Sequence, residues 1–157
     1  MIKHFKPYEL VDQDTYEQYG DQCMEFFNPI LLIAIDGMWE FFNSIEPCSI
    51  IVNNWHWGGE LQWRGLRTTE KAKALGASKS EHRYEPNVHL VNAIDCHITK
   101  LKTRKRIPAI EARQIIQDNK NHFLLMNITR MEDIVTWLHI DCKPLKQGQE
   151  RIYLFKG

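Results

Sequence analysis

Two short stretches of this chain alternate apolar and polar residues with a period of two. In Ala93 to Ile98 the column Ile94, Cys96, Ile98 is apolar, and the opposite column is Ala93, Asp95, His97. In Val135 to Cys142, Leu138, Ile140 and Cys142 follow Thr136 on one side, with Val135, Trp137, His139 and Asp141 on the other. Successive side chains of a strand point to opposite faces. Each stretch therefore predicts a strand with one core face and one face bearing His and Asp. If the two strands pair, Asp95 and His139 converge on one side of a sheet.

The rest of the pattern supplies a scaffold. Residues 6 to 20 predict a peripheral helical segment, with Asp14 as a cap and an end at Gly20. Asn28-Pro29 reads as an N-cap followed by Pro at the first helical position. The dense apolar run Ile30 to Phe42 then predicts a largely buried helix that stops before Pro47. Cys48 to Val52 predicts a strand. Asn53 to Arg67, with three Trp, two Arg and three Gly, predicts an irregular loop, either lining a cleft or packing under the sheet. Thr68 to Ser80 reads as an exposed connection. Pro108 opens a helix through about Asn119, with Ile110, Ile115 and Ile116 as its stripe. His122 to Ile128 reads as a strand or connector, Lys143 to Glu150 as a polar turn, and Ile152 to Phe155 as an edge strand. The predicted class is α+β: one small, mostly antiparallel sheet with helices on one face and a cleft on the other, in a single domain over residues 1–157.

Composition narrows the function classes. The 157 residues are 43% hydrophobic and 25% charged, with a net charge of zero, which implies no general attraction to nucleic acid or to a membrane surface. The basic run Lys100 to Arg106 lacks interleaved aromatics and reads as a solvated hairpin end. No apolar h-region follows Met1-Ile2-Lys3-His4, so no signal peptide is expected, and no run is long enough for a membrane span. Cys23, Cys48, Cys96 and Cys142 read as reduced thiols, with Cys96 and Cys142 in the predicted core columns.

The His and Asp columns permit a metal site. A catalytic zinc site needs three protein ligands, commonly His and carboxylate, and an open position. Asp95, His139 and a His from the preceding loop meet that count. The same columns also fit the solvent-facing side of a half-buried sheet, and the chain contains no HExxH or CxxC motif.

The order of these elements resembles the zinc peptidases that cut peptidoglycan stem peptides: D-alanyl-D-alanine carboxypeptidases, D-Ala-D-Ala dipeptidases and phage L-alanyl-D-glutamate endolysins. Their signature SxHxxGxAxD is followed much later by a His on a Trp- or Val-rich strand. Here stand Ser80-x-His82, Ala93-x-Asp95 and Trp137-Leu138-His139-Ile140-Asp141, while Arg64-Gly65-Leu66-Arg67 is similar to the family's SGxR element. The resemblance covers roughly residues 48 to 143. It departs in two places. Twelve residues separate His82 from Asp95, which implies an insertion around Glu85 to Leu90. His89, nearer to Asp95, is the rival ligand to His82. Where many members carry a general base three residues before the last His, this chain has Thr136.

The resemblance implies a Hedgehog/DD-peptidase-type fold, Zn²⁺ held by His82, Asp95 and His139, and Arg67 as an oxyanion or carboxylate partner. The base falls to Asp141, Asp133 or Glu132. Trp55, Trp57 and Trp137 are candidate substrate contacts. The implied substrate is a peptidoglycan peptide. A leaderless chain with these motifs fits a phage or prophage product, cytoplasmic before release or tied to virion components. The alternative is a catalytically inactive phage structural or cell-wall-binding domain of the same fold.

Overall fold

A computed structural model describes residues 2–77, 79–144, 148 and 152–156. In chain order its elements are α1 (Pro7–Leu10), α2 (Gln13–Tyr19), a 3-10 turn (Gly20–Phe26), α3 (Pro29–Ile45), β1 (Cys48–Ile51), a 3-10 turn (Trp55–Trp57), β2 (Arg67–Thr68), α4 (Thr69–Ala74), β3 (Arg83–Tyr84), β4 (Ala93–Lys100), α5 (Ala109–Asp118), α6 (Lys120–Leu125), β5 (Arg130–Glu132), β6 (Leu138–Asp141) and β7 (Tyr153–Phe155). The class is α+β. Five strands form one mixed sheet in the order β1-β4-β6-β5-β7, and β2 and β3 make a small parallel pair. Within the large sheet only the β5/β7 pairing is parallel.

The register explains the alternation. Asp95 lies opposite His139, Ile94 opposite Ile140 and Cys96 opposite Leu138, while Met131 of β5 meets Ile140. One face of the sheet is therefore apolar and fully packed. Its residues share a buried cluster with Leu31, Ile35 and Met38 of α3 and Ile116 of α5. Each such side chain contributes roughly 1.5–3 kcal/mol through removal from water. The opposite face carries Asp95, His139, Asp141, Arg130 and Glu132.

Asn28 caps α3 by accepting from the Ile30 amide, with Pro29 at the first position. Leu31, Ala34, Ile35, Met38 and Phe42 are buried, but Ile30 and Ile33 face outward, so the helix has one buried stripe rather than burial all round. Several expectations need correction. The N-terminal segment is not peripheral: Phe5, Leu10 and Val11 lie in the core, because Glu9 and Leu10 carbonyls accept from the Asn53 and Leu66 amides. Asp12, not Asp14, caps α2, accepting from both the Thr15 amide and hydroxyl. Thr68 caps α4, whose Ala72 is buried, within the stretch read as a connection. His122 to Ile128 is largely helical, because Phe123 is buried against Phe41 while Leu125 is exposed. In α5 the exposed Ile110 is replaced on the buried face by Ala112 and Arg113.

The second alternating stretch is strand only from Leu138 onward. Residues 133–137 form a bent connection with Ile134 at φ +63°. The stretch Glu85 to Leu90 folds as a tight bridge between Glu85 and His89. The polar turn expected over residues 143–150 lies mostly outside the described residues. Tyr153–Phe155 is an edge strand, as expected. All four cysteines are buried free thiols, and among the described residues no helix is long and apolar enough to cross a membrane.

Candidate metal centre

The four residues Arg64-Gly65-Leu66-Arg67 bind the segments carrying two of the candidate ligands to each other. The Arg64 carbonyl accepts from the Asp95 amide at 2.7 Å, and the Arg67 amide donates to the His82 carbonyl at 2.8 Å. Between them, the Gly65 carbonyl oxygen lies 2.8 Å from His82 Nδ1. A carbonyl oxygen only accepts, so His82 donates from Nδ1 and presents the lone pair of Nε2. Ser80 holds the same loop, its hydroxyl accepting from the His82 amide at 3.2 Å.

That lone pair points into a cluster. His82 Nε2 lies 3.4 Å from Asp95 Oδ1 and 3.3 Å from His139 Nδ1, and His139 Nδ1 lies 2.8 Å from Asp95 Oδ1. All three side chains are buried, and one ligand atom from each falls within 4.8 Å of the others. Two imidazole nitrogens and one carboxylate oxygen converge with no hydrophobic side chain between them. The set fits a divalent cation, and the cluster opens into a cavity of about 450 Å³, which supplies the open position such a site requires.

The ligands are supported from outside. Asp95 Oδ2 meets Arg67 Nη2 at 3.4 Å. His139 Nε2 faces Asp141 Oδ2 at 3.5 Å, and Arg130 grips Asp141 with contacts of 2.6 to 2.9 Å. A carboxylate behind a ligating imidazole fixes the ring and raises its basicity. Burial alone would raise the Asp95 carboxyl, but the adjacent His82 and His139 outweigh it and hold Asp95 well below the usual carboxylate range. Burial would lower His139, yet the flanking carboxylates of Asp141 and Asp95 lift it to about 9. Asp141 is likewise drawn down to about 2 against its burial, by His139 and Arg130.

The other candidates separate clearly. Arg67 lines the cavity, its Nε donating to the Trp63 carbonyl at 2.7 Å. Trp137 lines it too. Trp55 donates to the Val11 carbonyl and Trp57 stands exposed beside Tyr8; neither lines the cavity. His89 pairs with Glu81 at 3.7 Å and stays outside the cluster. Asp133 is half-exposed, 3.8 Å from Arg113, and does not line the cavity. Asp141 is wholly buried behind His139.

Of the three candidate bases, Glu132 faces the cavity, with Oε2 4.0 Å from His139 Nδ1; Glu81, paired with His89 and Lys143, also lines it. Glu132 comes from β5, a separate strand paired with β6, and not from the segment just before β6 where the alternation places it. The signal was Arg130-Met131-Glu132, a three-residue alternation around a buried Met. Phe155 closes the same wall, edge-on to His139 and beneath the Arg130 guanidinium. No protein-family model, curated protein or solved structure matches the chain.

Proposed function

We propose that the protein is a zinc-dependent peptidase acting on peptidoglycan stem peptides. The observation that carries this reading is the convergence of His82, Asp95 and His139 at the floor of a cavity that Arg67 and Glu132 also face. The motif order Ser80-x-His82, Ala93-x-Asp95 and His139 supports the substrate class by resemblance. A His₂Asp donor set with an open side suits zinc. Zinc bound there supplies Lewis acidity, which acidifies water and polarises a peptide carbonyl.

The chain's own groups then have distinct tasks. Glu132 accepts the proton of the attacking water and returns it to the leaving amine. Glu132 lines the cavity and Thr136 does not. Arg67, fixed by Trp63 and Asp95, aims its guanidinium at the developing oxyanion or a substrate carboxylate. Trp137 offers an aromatic wall to the peptide backbone. Asp141 with Arg130 orients His139.

The test is incubation of zinc-loaded protein with a synthetic stem pentapeptide and with purified muropeptides, reading every product by mass spectrometry. Cleavage of one defined peptide bond, abolished by chelation and restored by zinc, is the expected result. A protein that holds one zinc and cleaves neither substrate would sink the peptidase reading and leave a metal-binding domain without turnover.

A further inference from the structure

The connection between β5 and β6 carries a functional side chain at each end: Glu132 closes β5, and Trp137 precedes Leu138 and His139 of β6. It spans residues 133–137 without glycine or proline. Ile134 in this connection has φ +63°, a left-handed conformation that is a genuine outlier for a β-branched residue. Such a conformation is unfavourable and persists only where its surroundings impose it. Its own side chain imposes nothing, being 71% exposed.

The Asp133 amide is fixed to the Phe155 carbonyl of β7 at 2.7 Å, and the carbonyls of the connection are held from α5. Arg113 is 6% exposed, and its Nη1 donates to the carbonyls of Glu132, Val135 and Trp137, each at 3.3 Å. Nη2 donates to Val135 as well, at 3.3 Å, and Nε faces Asp133 Oδ1 at 3.8 Å. One buried guanidinium thus holds carbonyls at the start, middle and end of the connection. A planar fork with several fixed donors does this, and a lysine ammonium on a flexible stem does not. Arg113 touches neither the cluster nor the cavity.

We infer that Arg113 is a positioning residue: by clamping the 132–137 backbone around a strained Ile134, it sets the Glu132 carboxylate against the metal cluster and Trp137 against the cavity. The catalytic half of this inference rests on the peptidase reading; the clamp itself does not. His82, Asp95 and His139 lie outside the clamped segment, so loss of the fork should spare metal binding and damage turnover.

The experiment compares zinc-loaded wild type, Arg113→Lys, Arg113→Met and Arg113→Met with Ile134→Gly. Zinc content, hydrogen exchange of the 132–139 amides and turnover of the stem pentapeptide are read on each. Both single variants are expected to keep about one zinc per chain, to speed exchange of the Asp133 amide, which donates to the Phe155 carbonyl beside the clamp, and to drop kcat by about a hundred-fold, the scale of a 1 Å misplacement, with a smaller rise in KM from the displaced Trp137. Adding Ile134→Gly removes the strain and should recover several-fold in kcat. Unchanged protection and kcat in Arg113→Met would overturn the inference. Loss of zinc and protection throughout the chain would overturn it equally, making Arg113 a general packing residue. If wild type turns nothing over, the peptidase reading fails, while faster exchange confined to the Asp133 amide and its strand neighbours still supports the clamp.

Discussion

His82 Nδ1 donates to the Gly65 carbonyl oxygen across 2.8 Å, and this bond decides which nitrogen His82 offers to a cation. Gly65 has no room for a side chain: a Cβ there would overlap the Leu10 carbonyl oxygen, the same oxygen that accepts from the Leu66 amide. Gly65→Ala must therefore displace the backbone that orients His82. Loss of such an outer partner typically costs 10- to 100-fold in metal affinity. A competition titration with a zinc chelator should show a drop of about that size in Gly65→Ala. Unchanged affinity would mean that His82 orients without Gly65.

The ligand set separates cleanly from its rival. His82→Ala, Asp95→Ala and His139→Ala should each lower the metal content from about one per chain toward zero, and His89→Ala should leave it intact. Elemental mass spectrometry on proteins purified in parallel reads this directly. Metal lost with His89 and kept with His82 would reassign the first ligand to the Glu85–His89 bridge.

Most of this arrangement was legible in the sequence. The columns of β4 and β6 followed from alternation alone, because a buried apolar face tolerates no register slip. The order of Ser80-x-His82, Asp95 and His139 then gave the three groups that meet. What stayed hidden was tertiary. Glu132 sits on a three-residue strand, too short to announce itself by periodicity, and reaches the site only because β5 pairs with β6. Of the fifteen-residue loop from Asn53 to Arg67, only the last residue, Arg67, lines the cavity; Trp55 and the Asn53 side chain are tied to Val11. The burial of Leu10 and Val11 depends on backbone hydrogen bonds to distant residues, which no local pattern encodes.

The metal-free protein should be most stable in a middle pH window. Asp141 has its folded pKa drawn down to about 2, so its contribution is present above the unfolded value near 4 and is lost as pH falls toward 2. That loss amounts to roughly 2 kcal/mol. His139 is raised to about 9, so its contribution is full below about 6.5 and fades as pH rises through 9. Urea midpoints of chelated protein across this range should fall on both sides. Asp141→Asn should flatten the acid limb relative to wild type. Zinc should reverse the alkaline limb, because the cation replaces the proton on His139. A zinc-bound midpoint that falls with pH like the metal-free one would argue against His139 as a ligand.

The thiols give an independent check on the core. Burial pushes Cys23 and Cys142 up to about 12 and Cys96 higher still, and all four cysteines are buried. Because the thiolate is the reactive form, none should react with a disulfide reagent at pH 8 in the native protein, and all four should react in denaturant. Rapid native labelling at Cys96 would contradict the packing of the apolar sheet face.

Two carboxylates near His139 are distinguished by what each can reach. Asp141 is wholly buried, gripped by Arg130 and turned to the outer nitrogen of His139, so no water in the cavity meets it. Glu132 is partly open to the cavity and lies on the cluster side of the same ring. Under the proposed peptidase activity, Glu132→Gln should keep zinc and the fold while lowering kcat by about 10²–10⁴-fold, the range for removal of a general base. Asp141→Asn should instead act through the ligand, weakening zinc affinity about 10- to 100-fold with a smaller effect on kcat once zinc is saturating. Zinc titrations and saturating-metal kinetics on the two variants test the assignment together. If Asp141→Asn abolished turnover at full zinc occupancy while Glu132→Gln did not, the base would lie behind His139, and the cavity-facing geometry of Glu132 would have no part in the chemistry.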